Sequence, residues 1–161
     1  MERSKRIIFV SHCVLNQNSV VYPLARAKGA YKDIIIELIN NDIGIHQLPC
    51  PEYRYLGLKR EPMSKEQYDN EDFRKINNEI ARDAVTVIKE YLSNSYEILG
   101  LIGINESPTC SINGNNGILM EELTDMLDKA NIRLNYIDVP TDYHDGEKSK
   151  EFIEELKSLI K

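Results

Sequence analysis

The chain has no long apolar run, no closely spaced cysteine pair, no internal repeat and no excess of positive charge. Each absence closes a class of function. Only four apolar residues follow the basic start Met1-Glu2-Arg3-Ser4-Lys5-Arg6 before Ser11 and His12 intervene, too few for a secretory signal core. Nothing approaches the length that spans a bilayer, so the expected compartment is the cytoplasm, with no membrane partner. Without a C-x-x-C pair the zinc-finger, ferredoxin and thioredoxin patterns are excluded, and the tight three-cysteine loop of radical enzymes is missing too. Three cysteines in a reducing compartment argue against a disulfide framework and leave free thiols, metal ligation or catalysis. A formal net charge of -6 and a pI near 5.2 argue against a nucleic-acid polymer as partner. A small neutral or thio-containing substrate remains open, as does self-association into a homo-oligomer.

What is present reads as one globular domain over residues 1–161, since 161 residues with 42% hydrophobic and 29% charged content can bury a real core. Apolar periodicity alternates between strand-like and helix-like along the chain. Strands are expected at Lys5 to Ser11, Gly44 to Leu48, Ile98 to Ile104 and Arg133 to Val139. Helices are expected at Ala30 to Asn40, Asp72 to Leu92 with Asp72 as N-cap, Gly117 to Asn131 and Glu147 to Ile160. The alternation predicts an α/β fold, a three-layer Rossmann-like or flavodoxin-like domain with a parallel sheet of about four strands. Two long segments, Val14 to Arg26 and Pro51 to Glu71, read as irregular, and both directly follow a cysteine. Loops of that length in a compact domain tend to be functional.

Cys13, Cys50 and Cys110 each stand at or just beyond the end of a short apolar run. If those runs are neighbouring parallel strands, the thiols meet at the edge where open α/β sheets bind ligands. Independent core cysteines would fall anywhere along the strands; simple burial is the plainer alternative. Three thiolates could hold zinc, completed by a histidine such as His12 or His46. They could equally hold an iron–sulfur cubane, which normally takes four cysteines; with three, one iron keeps an open position and can act as a Lewis acid on a soft atom such as sulfur.

The residues around each cysteine carry a resemblance. Ser11-His12-Cys13-Val14-Leu15, Cys50-Pro51-Glu52 and Ser107-Pro108-Thr109-Cys110 resemble the S-x-C-L-L, C-P-E and S-P-S-C signatures of the thiouracil desulfidase family. The likeness runs over about residues 5 to 140 and is specific as a set of three. It implies an oxygen-sensitive [4Fe-4S] cluster on Cys13, Cys50 and Cys110, with an open iron for the sulfur of a small thiocarbonyl substrate such as a thiolated nucleobase. It further implies Glu52 as the base that activates water and Ser107 as the group that positions or protonates the ring, in a C=S to C=O conversion without net redox change. From the residues alone, Glu52 could be a solvated loop charge and Ser107 a turn hydroxyl before Pro108.

His12, Asn16, the stretch Tyr53 to Gly57, and Ser111 depart from the family pattern, and they bear on the substrate more than on the cluster. Ser11, His12 and His46 are candidate polar groups of the substrate pocket. Arg54, Lys59 and Arg60 could bind a phosphate or carboxylate, or face solvent. Asn113 to Gly117 could offer amides to an anion or to cluster sulfides, or form a tight turn. Two other functions stay open: a hydrolase with Cys110 as nucleophile and Glu52 or a histidine as base, and an iron–sulfur or zinc protein in sulfur trafficking or sensing.

Overall fold

A computed structural model describes all 161 residues. Four strands form one parallel sheet: β1 (Arg6–Val10), β2 (Gly44–Gln47), β3 (Glu97–Ile104) and β4 (Tyr136–Val139), in the order β2-β1-β3-β4. The helices are α1 (His12–Leu15), α2 (Lys32–Asn40), α3 (Pro51–Leu56), α4 (Lys65–Tyr68), α5 (Glu71–Ser93), α6 (Ile118–Lys129) and α7 (Lys150–Leu159). This is the expected α/β fold with an all-parallel, flavodoxin-like sheet. The chain steps from β1 to β2 in one direction and then to β3 and β4 in the other. Right-handed crossovers therefore put α2 on one face and α5 and α6 on the other, and α7 packs beside α2 to complete the third layer.

The central strands explain their own sequence. Ile7 to Val10 and Leu99 to Ile104, apart from Gly100 and Gly103, are buried apolar residues, as a parallel strand covered on both faces requires. The edge strands Gly-Ile-His-Gln and Tyr-Ile-Asp-Val are more exposed and more polar. Helix α5 buries Phe73, Ile80, Ala84 and Ile88, with Ile76, Val87 and Tyr91 packed against the core. No helix is long and apolar enough to cross a membrane.

Element ends differ from expectation where capping chemistry was misread. Helix α5 is capped by Asn70, whose side chain accepts the Phe73 amide at 2.9 Å, while Asp72 sits inside the first turn and complements the helix dipole. Strand β4 begins at Tyr136 rather than Arg133, and a short 3-10 turn at Glu147–Ser149 precedes α7. The two segments read as irregular hold short helices. Pro51, with φ already set for a helix, starts α3 directly after Cys50, and Ser64 with Gln67 forms a capping box that starts α4.

The turn that carries Cys110 is fixed by close backbone approach. The amides of Gly117, Ile118 and Met120 donate to the carbonyls of Ser111, Pro108 and Thr109 at 2.7, 2.9 and 3.3 Å. Within Asn113 to Gly117 the Gly117 amide is thus taken by the Ser111 carbonyl and the Asn113 amide by the Asp138 carboxylate, which also holds the Ile112 amide. A Cβ at Gly117 would overlap the Thr109 backbone and the Cys110 nitrogen. Gly117→Ala is expected to cost about 1–3 kcal/mol of stability by overpacking. Urea unfolding checks it, and an unchanged midpoint would show that the turn yields freely.

Candidate active site

Strand order reverses between β1 and β3, so the loops leaving their carboxyl ends part to opposite faces and open a crevice. Three connections meet there. The first follows β1: the Ser11 amide donates to the Ile102 carbonyl at 3.0 Å, holding this exit against β3, and α1 then carries His12 and Cys13. The second follows β2, where Cys50 caps α3 by accepting the Tyr53 amide on its sulfur at 3.4 Å. The third follows β3 and is pinned by the Ile104 amide on the Cys110 carbonyl at 2.9 Å.

The cavity between these connections, about 150 Å³, is lined by Cys13, Cys50 and Cys110 together with Glu52, Ser107 and Thr109. That is several times the share of one water molecule and suits a group of small-molecule size. The thiols sense one another. Burial pushes the Cys13 thiol up to about 12, with Cys50 adding to the rise and Arg26 opposing it. Burial likewise raises Cys50, and it drives Cys110 well above the usual thiol range with help from Cys13 and Cys50.

Glu52 is not the solvated loop charge that its sequence position allowed. It is buried on the first turn of α3 with both carboxylate oxygens engaged. Oε1 accepts from the Tyr68 hydroxyl at 3.1 Å and from Arg60 Nε at 3.4 Å, and Oε2 accepts from the Thr109 hydroxyl. Burial, and next the Glu52 charge, keep the Tyr68 phenol strongly raised, so it stays a donor. Arg60 neither faces solvent nor waits for a substrate anion: it is buried, pairs with Glu52, and donates to the carbonyls of Ser19 at 2.8 Å and Gly57 at 3.0 Å. Ser107 Oγ accepts the amides of Cys110 at 3.0 Å and Thr109 at 3.3 Å and lies 3.3 Å from the Thr109 hydroxyl. A line of oxygens therefore runs from Ser107 through Thr109 to Glu52.

Of the remaining candidates, His12 lines the cavity with Nδ1 3.1 Å from Ser19 Oγ, and burial lowers its pKa. His46 stays on β2, its ring tilted 34° against Phe9 with ring centroids 4.5 Å apart, and is absent from the cavity lining. Ser11 is fully buried and also off the lining. No group of three or more His, Cys, Asp or Glu side chains is arranged in this structure to hold a metal ion.

Sequence reading missed Arg26, Tyr68 and the role of Thr109. Arg26 lines the cavity with its guanidinium on the carbonyls of Pro140 at 3.1 Å and Asn105 at 3.5 Å, and it forms no ion pair. Nothing local marked it. Thr109 stood inside a motif whose other members took the attention.

Comparison with known proteins adds three findings. A family model described as "Putative 2-thiouracil desulfurase" matches residues 5–122, a stretch that contains every residue lining the cavity. An uncharacterized protein of Methanocaldococcus jannaschii is 42% identical over 159 residues, covering 99% of each chain. No solved structure matches the chain.

Replacing Arg60 with methionine strands the Glu52 charge and is expected to cost about 3 kcal/mol, whereas Tyr68→Phe, which removes one neutral donor, is expected to cost about 1–2 kcal/mol. Denaturant unfolding of both variants ranks them. Equal costs would mean that the charge pair adds nothing beyond a hydrogen bond.

Proposed function

Because the chain belongs to the putative 2-thiouracil desulfurase family, we propose that it hydrolyses a small thiocarbonyl compound such as a thiolated nucleobase, exchanging C=S for C=O. Water supplies the oxygen, sulfur leaves as hydrogen sulfide, and no electrons are transferred overall. The observation that carries this reading is the convergence of Cys13, Cys50 and Cys110 with Glu52 and Ser107 on one cavity at the reversal of strand order.

The donor set fits an iron–sulfur cluster. Thiolates are the ligands such clusters prefer. The three thiols line one cavity, so that they could be shared by one polynuclear centre. Held by Cys13, Cys50 and Cys110, a [4Fe-4S] cluster would supply a Lewis-acidic iron with an open position for a soft sulfur atom.

The remaining chemistry belongs to the chain. Glu52 takes up the proton released as water adds to the thiocarbonyl carbon, directly or through the Thr109 hydroxyl that bridges it to Ser107. Ser107, fixed by two backbone amides, positions the ring and can return a proton to it. Arg60 and Tyr68 hold the Glu52 carboxylate in one orientation while Arg26 places a positive charge near the thiols. A cysteine-nucleophile hydrolase needs a base bonded to its thiol, and the nearby His12 bonds Ser19 instead.

The test is sulfide release from 2-thiouracil by anaerobically cluster-loaded protein. Glu52→Gln is expected to lower the rate by about 10²–10⁴-fold while leaving the visible absorption of the cluster in place. Undiminished release by that variant would remove Glu52 from the chemistry. Release from no thiocarbonyl compound would contradict the desulfurase reading.

A further inference from the structure

Ser11 holds the one buried hydroxyl that the fold leaves without a hydrogen-bond partner. Its main chain is fully committed, the amide to the Ile102 carbonyl and the carbonyl to the Val14 amide, both within 3.1 Å. The side chain is completely buried, off the cavity lining, and so out of reach of a substrate. A hydroxyl removed from water without a partner destabilises the protein that contains it, and native structures keep few of them.

Its position says what it waits for. Val10 pairs with Ile102, so Ser11 lies level with Gly103 on β3. Gly103 in turn has the Cys110 carbonyl so close that a Cβ there would overlap it. Ser11 thus stands behind the Cys110 turn. A neutral thiol is a weak acceptor, whereas a metal-bound thiolate carries negative charge and accepts strongly.

We propose that Ser11 donates a hydrogen bond to the Cys110 thiolate of the loaded site, an interaction that gains its strength when the thiolate is charged and bound, so that the hydroxyl is poorly satisfied in the empty protein and retains the cluster. This rests on the cluster reading above and adds to it a residue that acts on the ligand rather than on the substrate. Hydrogen bonds to cluster sulfurs also set reduction potential: a donor offsets negative charge and favours the reduced state.

Ser11→Ala separates the two effects because they have opposite signs. Wild type and variant are melted in the cluster-free form, then reconstituted anaerobically with ferrous iron and sulfide. Cluster loss to a chelator is followed by visible absorption, and the midpoint potential by redox titration. The variant is expected to melt at the same temperature or higher when empty, to lose its cluster several-fold faster, and to show a more negative potential. A variant that melts lower or fails to fold when empty would make the hydroxyl structural and overturn the proposal. Unchanged retention and potential would overturn it as well. Wild type that takes up no iron and sulfide would instead bring down the cluster reading itself, with this inference following.

Discussion

A parallel sheet can reverse its strand order only where neighbouring strands send their connections to opposite faces, and the structure depends on that geometry. Between β1 and β3 the sheet cannot close over its own carboxyl edge. Three connections converge on the opening, and each brings a cysteine: the one-turn helix α1, the start of α3, and the turn before α6. The backbone of each is locked by strand-end and helix-end hydrogen bonds, so the thiols are held by rigid elements rather than by flexible loops.

The cavity also concentrates charge in a place where charge is costly. Glu52 would be unfavourable there alone, and Arg60 with the Tyr68 and Thr109 hydroxyls offsets that cost while leaving no freedom in the carboxylate. Arg60 also reaches the Ser19 carbonyl, so the loop after α1 and the segment after α3 are joined through the same guanidinium. A second, more exposed network ties α4 to the helical face: Lys65 and Arg74 share Glu121, and Arg74 also holds Asp69 and Glu122. The segment following Cys50 is therefore anchored at both ends.

Much of this was legible in the sequence, for identifiable reasons. The uninterrupted apolar runs at Ile7 and Ile98 announce buried parallel strands, and the stripe from Phe73 to Tyr91 announces a long helix. The cysteines were legible because they sit where strands end and because their neighbours form three motifs. What could not be read were partners brought from far along the chain. Glu52 lies 16 residues from Tyr68 and 57 from Thr109, and no local pattern links them. Arg60 looked like a surface cation because its neighbours Lys59 and Glu61 are charged, while its own environment is set by Ser19. His46 looked like a site residue because it sits near a strand end, yet its position on the edge strand turns it onto Phe9.

Metal stoichiometry decides whether the three thiols hold one polynuclear centre. After anaerobic reconstitution and removal of unbound ions, iron and acid-labile sulfide are counted per chain in wild type and in each single Cys→Ala variant. About four of each are expected in wild type, as a cubane requires, with a marked loss whichever of Cys13, Cys50 or Cys110 is replaced. A wild-type protein that binds a single metal ion without sulfide, or a cysteine whose removal leaves the count unchanged, would contradict that expectation.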